Sequence, residues 1–236
     1  MSPDIFSSFD PCIYFMGDKL SLGFWGLSVV PILLMSSSFW LNPNQSFWGS
    51  SLLIETMYSQ SMRTSGKYIK GFSNLIMGVF FFTISMNLYG LVPYVFSFSS
   101  HLLMTLSLGL PLWLSIIFSS YKNSPFHFTS GLLPGGAPGW LNPFLVIVES
   151  SSILVRPITL SFRLVANMSA GHIVLCLMGS FTCSLMTSNG ILFLFLLFMQ
   201  VSYLVFEVGI CLIQAYIFCL LLTLYMDEHT SWGMQL

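Results

Sequence analysis

Charge is what this sequence has least of. Only 6% of its 236 residues are Asp, Glu, Lys or Arg, against 55% hydrophobic, where soluble domains carry about 25% charged residues. That scarcity excludes an ordinary water-soluble domain and leaves an integral membrane protein. An excess of one sign is missing too. The formal net charge is −1, so there is no basic surface on which nucleic acid would bind. The five cysteines, Cys12, Cys176, Cys183, Cys211 and Cys219, form no CxxC and no Cys/His zinc spacing. No metal or cofactor is expected, and Cys176, Cys211 and Cys219 read as small hydrophobes within apolar runs. The opening Met1-Ser-Pro-Asp-Ile-Phe lacks both a basic signal region and an Arg-rich amphipathic presequence. The expectation is insertion during synthesis within the protein's own compartment. No internal repeat is found.

What is there is a series of apolar runs. Residues 20–41 make an uncharged stretch of spanning length, interrupted by Pro31. Residues 47–63 place Ile54, Tyr58 and Met62 on one stripe beside Glu55, Ser59 and Arg63, predicting an amphipathic helix on the membrane surface. Residues 71–98 and 102–121 give a second and third span. Arg63, Lys67 and Lys70 put three of the seven basic residues into one connection, and Lys122 follows the third span. By the positive-inside rule both connections face inward. An outward N-terminus and an inward C-terminus follow. The Gly/Pro-rich stretch 123–142 reads as a loop. Residues 143–178 and 191–226 then form two apolar runs, each about 54 Å long as a helix at 1.5 Å per residue, too long to stand upright in a core of about 30 Å. The expected fold is all-α and integral to the membrane. It comprises about five transmembrane helices plus one surface helix, in a single domain over 1–236. The last two helices form a long, strongly tilted hairpin with a possible bend at Pro157.

The charges inside that hairpin are the candidate functional residues. Its first arm carries Glu149, Arg156, Arg163 and His172, and its second carries Glu207, with Asp227 and Glu228 at the end. Glu149, Arg156 and Arg163 follow at spacings of seven and share a face. Asn167 lies one turn beyond Arg163, and Gln214 shares the face of Glu207. Seven residues is about 10.5 Å along a helix, which predicts that Glu149 and Arg156 are too far apart for a simple contact. His172, nine residues from Arg163, points to the opposite side. Intramembrane acids with a histidine suggest a proton relay. An arginine does not give up its proton, and holding it mid-membrane costs roughly 2.5–3.5 kcal/mol or more. Its role must therefore be electrostatic, that of a fixed cation aimed at an acid that this chain does not supply one turn away.

Ser161-Phe-Arg-Leu-Val-Ala-Asn-Met-Ser-Ala-Gly-His172 resembles the arginine signature of subunit a of F-type ATP synthases, in its mitochondrial form. Ile213-Gln-Ala-Tyr-Ile-Phe218, ending in Leu224-Tyr-Met-Asp-Glu-His-Thr230, resembles that family's C-terminal signature. Leu133-Pro-Gly-Gly-Ala-Pro138 with Val146-Ile-Val-Glu149 resembles the approach to its fifth helix. The motifs cover roughly residues 120–230.

The resemblance implies that Arg163 faces a ring of c subunits, flanked by Asn167 and Gln214. It implies that His172 and Glu207 line a half-channel open to the intermembrane space, and that Glu149 with Glu228 line one open to the matrix. Bacterial members carry the His and Glu of positions 172 and 207 exchanged. Arg156 stands where many members are neutral and is a possible modulator of the inner half-channel. The implied setting is the mitochondrial inner membrane, N-terminus in the intermembrane space and C-terminus in the matrix. The implied partners are the c-ring, the other stator subunits and the lipid bilayer. No covalent catalysis is expected on this chain.

Two rivals remain at this point. A proton-coupled secondary transporter would commonly show internal repeats and a polar solute site, and this chain shows neither. A structural scaffold leaves Arg163 without a purpose.

Overall fold

The computed structural model describes residue 9 and residues 45–92, 95–123, 125, 139–186 and 190–230. Among the described residues the chain is all helix and turn. The helices are α1 (Gln45–Ser61), α2 (Phe72–Gly90), α3 (Leu102–Asn123), α4 (Asn142–Leu185) and α5 (Gly190–Thr230), with short 3-10 turns at Ser65–Tyr68 and Phe98–Ser100. By length and composition, α2, α3, α4 and α5 can each cross a membrane. The expected first span, 20–41, and most of the Gly/Pro-rich loop lie outside the described residues.

Each helix can be traced to its sequence. α2 is uncharged from Phe72 to Gly90 and starts after Gly71, whose φ of +85° is the left-handed conformation glycine tolerates. It ends at Gly90, short of the end of its apolar run. The residues beyond turn instead into a buried knot in which Phe96 packs edge-on to Phe98 and stacks on His101. α1 buries a line through Ser50, Met57 and Ser61 and leaves Tyr58 exposed; Met62, just past its end, is exposed too.

The hairpin helices are longer than the apolar runs. α4 has 44 residues and α5 has 41, about 66 and 61 Å of helix at 1.5 Å per residue. The segment from Gly179 reads as a connection, yet α4 continues through it to Leu185. The reason is local. Ser180, Thr182 and Ser184 donate their hydroxyls to the carbonyls of Leu177, Gly179 and Phe181, so these polar side chains are satisfied by their own helix and no water is needed. α4 also stays helical through Pro157.

The chain divides into two compact units. One comprises Met1–Gly49, Phe82–His101 and Leu164–Ala215; the other comprises Ser50–Phe81, Leu102–Arg163 and Tyr216–Leu236. In the second unit α3 and α4 meet closely. Ser161, fully buried, donates to the carbonyls of Thr105 (3.3 Å) and Pro157 (3.0 Å). The approach is possible because position 109 is glycine: a Cβ there would lie 2.6 Å from the Ser161 oxygen. Met57, Ile76, Phe218, Cys219 and Leu222 are among this unit's most deeply buried side chains.

Candidate functional site

In the first unit, α4 and α5 pair Asn167 with Gln214 and seat Glu207 against α4 at the residue before His172. Asn167 donates from Nδ2 to Oε1 of Gln214 at 2.9 Å, joining the two helices side chain to side chain. One turn further along α5 from Gln214, the Cys211 thiol meets the Met168 sulfur at 3.4 Å. A turn further still, Glu207 is only 3% exposed. Both of its carboxylate oxygens, and Nε2 of His172, are buried without a hydrogen-bond partner among the described residues. His172 is half-buried, with the ring of Phe9 edge-on at 6.3 Å. This is an unusual concentration of unsatisfied polar atoms, because a buried donor or acceptor left without a partner costs about 1–3 kcal/mol, more when charged.

The second unit treats its charges differently. Arg156 reaches Glu149 with an Nη2–Oε1 distance of 3.9 Å, and its guanidinium lies 4.9 Å over the Tyr225 ring. The expectation that these two charges are too far apart is therefore wrong. Helical side chains lean toward the N-terminus. The long Arg156 chain thus tilts back toward Glu149 and closes a gap that the backbone rise leaves open. Arg163, on the same helix, is exposed and makes no ion pair or hydrogen bond among the described residues. One turn away on either side along α4 lie Thr159 and Asn167, both exposed. Glu228 belongs to the last turn of α5, and its side chain lies outside the described residues. Among the described residues no group of His, Cys, Asp or Glu is placed to hold a metal ion.

Two contacts go beyond what the sequence predicts. Tyr225 sits inside the C-terminal motif, and its ring backs the Arg156 guanidinium. Gly171, next to His172, packs against the Glu207 carboxyl. A glycine within an apolar helix signals close helix approach, and that signal is present in the sequence.

The fold and these groups define a class: an all-α, multi-pass integral membrane protein that keeps ionisable side chains within its apolar helices. Comparison with known proteins narrows it. Residues 22–227 match the model of the family described as the ATP synthase A chain. The chain is 38% identical over 231 residues to ATP synthase subunit a of Drosophila yakuba, covering 97% of this chain and 99% of that protein. It is 37% identical over 229 residues to ATP synthase subunit a of Artemia franciscana, with 97% and 100% coverage. The corresponding Locusta migratoria protein is 36% identical over 231 residues, with 97% and 99% coverage. The chain belongs to the ATP synthase A chain family.

Proposed function

We propose that the chain is the proton-translocating stator subunit of an ATP synthase membrane sector in the mitochondrial inner membrane. Its N-terminus lies in the intermembrane space and its C-terminus in the matrix. Protons pass along His172 and Glu207 to a carboxylate on the rotating c-ring. They leave, after nearly a full turn, past Glu149 and Glu228. Arg163 holds the deprotonated ring carboxylate between the two half-channels and repels a proton that would cross directly. Asn167 and Gln214 flank it. Each charge crossing the membrane yields about 2.3 kcal/mol per 100 mV, so several protons per turn are needed to drive synthesis.

The observation that carries this reading is the state of Arg163: a permanent cation, exposed on a helix apolar enough to cross a membrane, with no acid of the described chain against it. Such a group needs a carboxylate from another subunit. Family membership supports the same reading, since the relatives are named as ATP synthase subunits. The test is Arg163→Ala in the reconstituted complex. Loss of ATP-driven proton pumping and of coupled synthesis is expected, with assembly retained. Coupled pumping that survives the substitution would overturn the proposal. Crosslinkers placed at Arg163 should capture the ring subunit, and those at His172 should capture positions near Glu207.

A further inference from the structure

The position of the Glu207 carboxyl is set by something that is missing. Gly171 on α4 is buried, and a Cβ built on it would overlap Oε1 of Glu207 and lie 2.8 Å from Oε2, inside the 3.0 Å that real Cβ contacts essentially never cross. The carboxyl rests against the bare backbone of α4, where any other residue would project. Two side-chain contacts on the next two turns hold the helices close. At the adjacent turn the Cys211–Met168 sulfur contact of 3.4 Å holds α5 against α4. One turn beyond that, the Asn167–Gln214 hydrogen bond of 2.9 Å does the same.

We propose that Gly171 is a positioning residue for Glu207: its absent side chain is the seat of the carboxyl, and it fixes that carboxyl against α4 at the residue preceding His172. The inference rests on the reading of Glu207 as a member of the proton path. It deepens that reading by saying why the acid is where it is without a hydrogen bond from any described residue to hold it. The atoms that an added methyl would displace are the far end of a flexible side chain, not backbone. Gly171→Ala therefore moves the carboxyl and leaves the helix pair standing. Proton transfer requires heavy atoms within about 2.6–3.2 Å or one bridging water. A misplacement of order 1 Å can cost about 10²-fold in rate.

The experiment uses the complete ATP synthase reconstituted in vesicles, with ATP-driven proton pumping as readout and subunit stoichiometry as the control for assembly. Gly171→Ala should assemble and lose roughly 10–100-fold of the pumping rate. Glu207→Asp, with a side chain one methylene shorter, should also be impaired. The double variant should pump faster than Gly171→Ala alone, because the shorter acid fits under the new methyl. Wild-type pumping by Gly171→Ala, or a double variant no better than the product of the two single losses, overturns the inference. If Gly171→Ala does not assemble, Gly171→Ala with Glu207→Ala must restore assembly, and failure to do so also overturns it. Glu207→Gln separates the two levels. Full pumping by that variant sinks the proton-path reading itself, whereas its loss beside an unaffected Gly171→Ala sinks only the role of the glycine.

Discussion

Two glutamates on the last two helices live in opposite circumstances. Glu207, in the first unit, is 3% exposed and has no partner for either oxygen among the described residues. Glu149, in the second, has a side chain 41% exposed, with the Arg156 guanidinium at 3.9 Å and the Tyr225 ring behind that guanidinium. In water, which the proposed inner half-channel would supply at Glu149, a charge is inexpensive and its ion pair adds little, typically about 0–1 kcal/mol. Away from water, a carboxyl with no compensating bond is costly. A buried acid with no bonding partner among the described residues draws no stability from them. The contrast marks Glu207 as the residue retained against the interests of the fold, and Glu149 as one the fold can accommodate.

The sharpest way to break this contrast is Glu207→Met, which matches the apolar surroundings. Proton pumping should fall by about 10²-fold or more, while the thermal midpoint of the assembled membrane sector holds or rises. A lowered midpoint would show that the buried carboxyl has a stabilising partner after all. Next in size is Gln214→Leu. It removes the acceptor of the exposed Asn167 amide and should cost about 0.5–1.5 kcal/mol, seen as a lowered midpoint. Asn167→Leu added to it should recover part of the loss, because neither polar group is then orphaned; additive losses would mean the two do not interact. Smaller again is Arg156→Lys. The planar contact with Tyr225 is lost, worth about 0.5–1 kcal/mol at such exposure, and pumping should change modestly if at all. The smallest expected stability effect is Glu149→Gln, under about 1 kcal/mol and fading as salt is raised. A large, salt-independent change there would erase the distinction between the two acids.

The all-helical membrane fold was readily legible in the sequence, because lipid is the one solvent that suits several uncharged runs of spanning length. The lengths of the last two helices were less legible. Gly179 and the serines and threonine after it resemble a connection in composition, and only their hydrogen bonds to the preceding turn show that they continue α4. At the site, helical spacing placed Asn167, His172, Glu207 and Gln214 on the two arms, but it carries no information about what lies across from what. The Asn167–Gln214 bond and the seating of Glu207 on Gly171 are pairings between helices, set by axial register and close approach. Spacing also misled for Glu149 and Arg156, since backbone rise measures the distance between Cα atoms and takes no account of how far a long side chain leans.

The serines and threonine along the outer side of α4 have a mechanical consequence. Ser151, Thr159 and Ser169 donate to the carbonyls of Val148, Arg156 and Ala166 of their own helix. Their O–H donors are already committed, so each hydroxyl offers a passing neighbour only an acceptor. Under the proposed rotary role, a rotor turning against α4 would meet few donors to unhook at these positions, and the proposed hold at Arg163 would be the stronger point of purchase.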